Sequence, residues 1–536
     1  SIQFNRITLN FIFLLIPAIL LIYYVYSLGI YFLICYFQIS QILKFQKLEN
    51  CIFIFKNAFY KKFNFMEEIM SQKTTKRVFT RKSKLFLILA SMILALSCKN
   101  PLGDESGGSG GAGGGGSSGG QTITNEQGKV FPAWYLTAEE QGKDFEINKT
   151  LFFSTVTPQQ HYRIPAIIAA DNGNIVAICD NRHTKFGDIG QISLSDFIDI
   201  VYKVSKDGGY TWSDEKIILP KTTENKLTTA NNKGDPIVFK HTDGTLVCFA
   251  VSGGGYAGAT DKPETRSRIL RSESKNHGET WSNWEEVGQN LIDEIKTKHE
   301  KYQAFLSSGR GLTLKDGTFA AAMAGPNFSV IYVYSRDKGK TWHYGQYING
   351  KNGSEYTTIT EPKVIAELED GKLLMSVRNS TSIKTLNNPR LYAVSTAAGY
   401  STSWPATFSK WNFLDGGVDS EGVVWTRKSL HDKNRMIHIQ AQGIQGTDRR
   451  GLKLYLSEDE GRTANWKEVK AILPSSDRAC YASIDILGDG TVITFAEEPT
   501  RATGTDVRQY DLVFRRYNLF ALTKEVYKTE WYKEIK

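Results

Sequence analysis

The feature that most limits how this chain can fold is a short box that recurs along it. It reads Ser205-Lys-Asp207-Gly-Gly209-Tyr-Thr211-Trp212, then Ser274-Lys-Asn276-His-Gly278-Glu-Thr280-Trp281, then Ser335-Arg-Asp337-Lys-Gly339-Lys-Thr341-Trp342. A fourth copy, Ser457-Glu-Asp459-Glu-Gly461-Arg-Thr463, reaches its tryptophan only at Trp466, and a ragged fifth runs Ser395, Gly399, Trp404. These are turn motifs, in which Asp caps through its carboxylate, Gly supplies positive φ and Trp packs between neighbouring units. The tryptophans recur 69, 61 and 124 residues apart, the last interval near twice the unit. Five further pairs, Asn172-Gly173, Asp243-Gly244, Asp316-Gly317, Asp370-Gly371 and Asp489-Gly490, each introduce an apolar strand pattern and suit type I′ hairpins. Short strands repeating at about 60 residues without helical periodicity predict an all-β fold, a β-propeller. The 376 residues from His161 to Lys536 divide into six blades.

The boxes account for only part of the 536 residues, and charge separates the rest. The formal balance is +9, from 65 Lys/Arg and 56 Asp/Glu. Thirteen of those basic residues but only three acidic ones lie in residues 1–100, leaving 52 against 53 in the remainder. A near-neutral body has no basic field to drive general nucleic-acid binding. Residues 1–65 lack Met, Asp, His and Trp, and Phe11 to Phe37 is almost continuously apolar. This leader reads as a membrane anchor or, preferably, as AT-rich upstream DNA translated in error, because a clean second start follows at Met66 or Met70. A basic run and the apolar stretch Leu85 to Leu96 then lead to Ala95-Leu96-Ser97-Cys98, the layout of an export signal with a lipobox-like ending. Cys98 is thus the expected lipidation site. From Pro101 to Gly120, eleven of twenty residues are Gly, which reads as a flexible tether. The expected organisation is a leader over 1–65, a lipoprotein-type signal over 66–98, a linker over 99–120, a lead-in over 121–149 and the propeller over 150–536. The expected setting is the cell envelope, with a membrane as partner through Cys98 and the protein working as a monomer.

Other chemistries find little support. Gly253-Gly254-Gly255-Tyr256-Ala257-Gly258 matches a dinucleotide-binding spacing, but Asp261-Lys262-Pro263-Glu264 follows it and no helix opens there. The eight His show no metal-ligand spacing, and neither a nucleophile elbow nor a phosphate loop occurs. No cofactor or metal is expected. Cys179, Cys248 and Cys480 sit in or beside apolar strands and read as buried free thiols.

Tyr162-Arg163-Ile164-Pro165, followed by four Asp boxes, resembles the bacterial exo-α-sialidases of glycoside hydrolase family 33 over roughly residues 150–520. The resemblance implies hydrolysis of terminal α-linked sialic acid from glycoconjugates, with retention of configuration. Three arginines would clamp the substrate carboxylate: Arg163, Arg378 in Ser376-Val377-Arg378-Asn379, and Arg450 in Arg449-Arg450-Gly451, where Arg449 is an immediate rival. Tyr481 matches the nucleophile and Glu361, in Thr360-Glu361-Pro362, its partner base. Phenol suits this chemistry because it stays neutral beside the substrate's own carboxylate until a base takes its proton. Asp188, 25 residues after Arg163 and six after Arg182 of Asp180-Asn181-Arg182, matches the general acid, with Asp196 as the alternative. Asp235 and Arg182 are grouped with the substrate-binding residues. Glu497, or its neighbour Glu498, matches the carboxylate that orients the first arginine. A trans-sialidase or a non-catalytic sialoglycan-binding propeller is the alternative function.

Overall fold

The computed structural model describes residues 122–124, 130–155, 160–183, 187–190, 198–218, 232–350, 359–379, 388–443, 449–499 and 510–534. The leader, the signal with Cys98, the Gly-rich linker and Asp196 lie outside them. Among the described residues no helix is long and apolar enough to cross a membrane.

Six antiparallel sheets follow one another as blades, each consisting mainly of four strands in order from the axis outward. Blade I holds His161–Ala169, Ile175–Arg182, Ile198–Ser205 and Lys216–Ile217. Blade II holds Gly234–Lys240, Leu246–Gly253, Ser267–Ser274 and Glu285–Val287. In blade III the innermost strand is broken. Phe305–Leu306 and Leu312–Thr313 both pair with Phe319–Gly325, while Gly309–Arg310 between them joins the first strand of blade II in parallel. Blades IV and V run Ile359–Glu367 to Ser409–Leu414 and Glu421–Thr426 to Lys467–Arg478.

Blade VI closes the ring. Ala482–Ile486, Val492–Pro499 and Tyr510–Tyr517 accept Glu146–Phe152 from the N-terminal side as their outermost strand. The propeller therefore begins at Glu146, so its closing strand straddles the expected boundary at 149/150. Joining the two ends of the ring through one sheet removes the free edge that a linear array of blades would present. Two of its inner strands, His161–Ala169 and Ile175–Arg182, are buried at every position, as strands covered on both faces must be.

The boxes occupy the turn between third and fourth strands. In blade III the Ser335 hydroxyl donates to Asp337 at 2.8 Å and accepts from the Gly339 N–H at 2.8 Å, while Thr341 donates backbone and hydroxyl hydrogens to Asp337 at 2.9 and 2.7 Å. The tryptophan of each box leans on the preceding blade: Trp212 on Phe514, Trp281 on Tyr202, Trp342 on Phe249 and Trp466 on Trp411. The ragged copy keeps this contact, Trp404 on Tyr332, but without an Asp its Ser395 donates to a backbone carbonyl instead. The turns between first and second strands depart from the type I′ expectation. Only the Gly of each pair has positive φ, and its N–H bonds the carbonyl three residues back in all five. This is a type I turn closed by a left-handed Gly. It is favoured because the Asx side chain accepts the N–H two residues on, at 2.9–3.1 Å.

Both turn families lie at one end of the propeller. The connections from second to third strand fall at the other end, and there the sequence-predicted chemistry collects.

Candidate active site

At that end the innermost strands of three blades carry the same irregularity. Ile164, Asp235 and Glu361 each precede a proline, and each has a positive φ of 57°, 54° and 45°. In each case the pairing with the second strand slips at this point. A residue before proline ordinarily sits in extended backbone, and a left-handed non-Gly residue costs about 1–3 kcal/mol. The strain is held by the surrounding sheet and re-aims the neighbouring side chains. Proline inside a central strand is itself the sequence signal for such a bulge, so Arg163-Ile164-Pro165, Gly234-Asp235-Pro236 and Thr360-Glu361-Pro362 were readable as three equivalent positions.

Tyr481, buried at the foot of blade VI, is the centre of the site. Its hydroxyl donates to Glu361, and Arg378 donates both to the other oxygen of Glu361 and, at 3.1 Å, to the phenol oxygen. Burial, and next to it the Glu361 carboxylate, push the phenol well above its ordinary pKa of 10. Tyr481 is therefore protonated in the free protein, with a carboxylate already on its proton. Arg163 lies with its guanidinium carbon 5.6 Å from the Tyr481 ring and 5.3 Å from the Tyr510 ring. Its Nε donates to Glu497 at 2.6 Å, and the same Glu497 oxygen accepts the Ile164 N–H at 2.8 Å while the other accepts from the Tyr481 N–H. Burial opposes ionisation of Glu497, but the charge and hydrogen bonds of Arg163 outweigh it and its pKa is lowered. Glu498, one residue on, points to the opposite face and pairs with Arg515. Glu497 is thus the residue that orients Arg163.

The third arginine differs from the one the sequence favours. Arg449 places its guanidinium 5.5 Å from the Tyr481 ring and donates to the Cys480 sulfur at 2.9 Å. Arg450 turns away, donating to the carbonyl of Ser476 at 2.7 Å in the neighbouring strand. Alternation along the strand allows only one of two adjacent residues to face the axis, and here it is Arg449. Arg163, Arg378 and Arg449 sit close enough for the first two to oppose the charge of the third. Among the described residues no carboxylate pairs with Arg449, and its Nε is buried without a partner. Three guanidinium groups gathered around one phenol, one of them with no carboxylate partner among the described residues, form a site for an anion.

Asp188 flanks this cluster from blade I. Arg182 is buried and committed to carboxylates, holding Asp180 through Nε at 3.1 Å and Nη2 at 2.8 Å and Asp188 through Nη1 at 2.8 Å. The sequence groups Arg182 with the substrate-binding residues, whereas here its guanidinium is engaged by Asp180 and Asp188. The Asp188 side chain remains 56% exposed. Burial of its carboxyl opposes ionisation, but Arg182, Arg163 and Arg449 outweigh it and hold the pKa below the usual carboxylate range. Asp235 donates its backbone N–H to Asp180 at 3.0 Å. Burial, then the neighbouring Asp180 and Asp188, push the Asp235 carboxyl well above that range. The structure thus brings together Arg163, Arg182, Asp188, Asp235, Glu361, Arg378, Tyr481 and Glu497, and places Arg449 where Arg450 was expected. Cys480 and Tyr510, which contact the arginines, carried no motif in the sequence. Among the described residues no group of three or more His, Cys, Asp or Glu is arranged to hold a metal ion.

Comparison with known proteins agrees with the propeller fold. The family described as BNR repeat-like domain matches residues 186–493. A sialidase of Micromonospora viridifaciens is 27% identical over 351 residues, 62% of this chain and 49% of the relative. A sialidase of Bacteroides fragilis is 26% identical over 235 residues, 41% of this chain and 40% of the relative. The chain thus spans about half the length of these curated relatives. Among solved structures, the intramolecular trans-sialidase from Ruminococcus gnavus superposes with a TM-score of 0.53 at 14% identity, covering 70% of this chain and 98% of that one. A sialidase from Streptococcus pneumoniae gives 0.53 at 15% identity, covering 70% and 71%. At these identities the superpositions establish the shared propeller.

Proposed function

The chain belongs to the BNR repeat-like domain family, and on that premise we propose that it is a retaining exo-α-sialidase. The observation that carries this reading is the gathering of Arg163, Arg378 and Arg449 around a tyrosine whose hydroxyl is already bonded to Glu361. Sialic acid carries its carboxylate on the anomeric carbon, so an arginine clamp on that group sets the reacting carbon beside the nucleophile.

In the first step the Tyr481 oxygen attacks the anomeric carbon and passes its proton to Glu361. Asp188 protonates the departing oxygen, and a glycosyl–tyrosine bond replaces the glycosidic bond. In the second step Asp188, now a carboxylate, takes a proton from water. The water attacks the same carbon, and Tyr481 leaves with its proton returned from Glu361. Two displacements retain configuration. A carboxylate held below its usual pKa is a poor acid in the free protein. Substrate corrects this: its carboxylate neutralises part of the Arg163 and Arg449 charge that holds Asp188 ionised, and its bulk removes water from the exposed side. Glu361 is suited to its role because Arg378 fixes one of its oxygens while the other already accepts the hydrogen bond of the Tyr481 hydroxyl.

Release of free sialic acid from defined sialyllactoses by the purified protein tests the proposal. Binding without release would make the protein a sialoglycan-binding propeller, and transfer to added lactose in preference to water would make it a trans-sialidase. The export-type run ending at Cys98 and the Gly-rich tether behind it support a membrane-anchored setting, which metabolic labelling with palmitate would test.

A further inference from the structure

The glycine-rich segment Gly253 to Gly258 binds no nucleotide in the sequence reading and takes no part in the chemistry above, yet it lies against the loop of Asp188. Gly190 follows Asp188 by two residues and has a φ of +86°. A Cβ on Gly190 would fall 1.9 Å from the carbonyl oxygen of Gly254 and 2.9 Å from the Gly258 nitrogen. Conversely, a Cβ on Gly255 would fall 2.3 Å from the Ile189 oxygen, and one on Gly258 2.6 Å from the Gly190 oxygen. Two backbones therefore touch directly with no side chain between them. Ile189, buried between Asp188 and Gly190, packs with Val251, Phe305 and Ala324.

The segment itself is braced from both sides. The Gly254 N–H bonds the Arg266 carbonyl at 3.1 Å, the Gly258 N–H bonds the Gly254 carbonyl at 2.9 Å, and the Gly255 carbonyl accepts the Ser267 hydroxyl. Gln303 donates to the Tyr256 carbonyl at 2.8 Å. The Tyr256 hydroxyl reaches the Gly325 carbonyl of blade III at 3.2 Å, and its ring packs on Phe305 with centroids 5.6 Å apart.

We propose that the Gly253–Gly258 loop is a positioning element for the general acid, locking the backbone of Ile189–Gly190 so that Asp188 is delivered to the leaving oxygen while its side chain stays exposed. The inference rests on the sialidase reading above. An acid must come within hydrogen-bond reach of the leaving oxygen, and a displacement of about 1 Å costs on the order of 10²-fold in rate. Arg182 fixes the carboxylate from within blade I, and the glycine contact fixes the main chain from blade II. Neither alone defines both ends of the residue. The glycines are required because any Cβ in the contact would drive the two loops apart.

Gly258→Ala is the informative substitution, because Gly258 lacks a positive φ and the added methyl points at Gly190. The assay compares two substrates in the full chain. 4-Nitrophenolate departs from its sialoside without protonation, whereas the lactose oxygen of 3′-sialyllactose needs the acid. The expected result is a fall in kcat/KM of roughly 10- to 100-fold on sialyllactose and under about 3-fold on the aryl sialoside, within the range that general acid catalysis contributes. Asp188→Asn serves as the reference for that selectivity. Tyr256→Phe, which loses only the brace to Gly325, should show the same selective loss, several-fold, and carries the test if Gly258→Ala does not fold. Equal losses on both substrates, or none on either, would overturn the positioning role. Failure of the parent reading looks different: an unsubstituted protein that releases sialic acid from neither substrate, or an Asp188→Asn variant without leaving-group selectivity.

Discussion

Two buried charge clusters lie on one strand of blade IV, two residues apart, and they are built on opposite terms. Lys363 places its ammonium 3.0 Å from Asp419 and 3.0 Å from Glu421, with all three side chains 3% exposed or less. The Ser308 hydroxyl donates to Asp419, and the Ser483 hydroxyl and the Arg310 and Ile484 N–H groups donate to Glu421. That cluster is closed within the chain. Around Glu361 the balance is open: three guanidinium groups crowd one phenol, and Arg449 has no carboxylate partner among the described residues. A buried cation without a counter-charge is costly, and a protein keeps one where a ligand supplies the missing anion. The first cluster should therefore matter to folding and the second to the substrate.

The largest effect that would separate them is Tyr481→Phe. Loss of the nucleophile should lower kcat on an aryl sialoside by about 10³-fold or more, while the melting temperature moves by less than about 3 °C. A variant of near wild-type activity would remove Tyr481 from the mechanism. Next is Lys363→Met, which leaves two buried carboxylates facing each other and should cost about 3–5 kcal/mol in urea unfolding. A loss under about 1 kcal/mol would show that the closed cluster contributes little to stability. Arg449→Ala should raise KM or the inhibition constant of free sialic acid on the order of 10²-fold, and Arg450→Ala about 2-fold or less. Reversal of that order would return the clamp to the residue favoured from sequence.

The contrast also explains what the sequence could and could not disclose. The turn end was legible because Ser205, Asp207, Gly209 and Trp212 solve a local problem that recurs in every blade carrying the box, so repetition exposes it. The finer turn class was missed at Asn172-Gly173 and its equivalents, because the side-chain bond from Asx to the N–H two residues on favours an ordinary right-handed residue before the Gly. The site end has no repeat. Arg163, Glu361 and Tyr481 come from three different blades, and only resemblance joined them. Arg449 against Arg450 depended on the phase of one strand beside a bulge, which a single residue reverses. The closing strand Glu146–Phe152 pairs with residues more than 350 positions away, and nothing local in its sequence announces that partner.

The smallest effect lies outside both clusters, at the capping carboxylates of the boxes. Asp337 accepts three hydrogen bonds within its own turn and touches no site residue. Burial opposes its ionisation, but the Thr341 and Ser335 hydrogen bonds outweigh it and lower its pKa. A carboxyl whose pKa is lower folded than unfolded stabilises the fold above the unfolded value, near 3.9, and loses that contribution as pH falls through the folded one. By removing these capping hydrogen bonds, Asp337→Ala should cost about 1 kcal/mol at pH 7 with kcat unchanged. The difference in melting temperature from the parent protein should narrow below about pH 4. If the variant instead lost activity at constant stability, the two ends of the propeller would be coupled through the blades. The division between a repeating scaffold end and a unique chemical end would then fail.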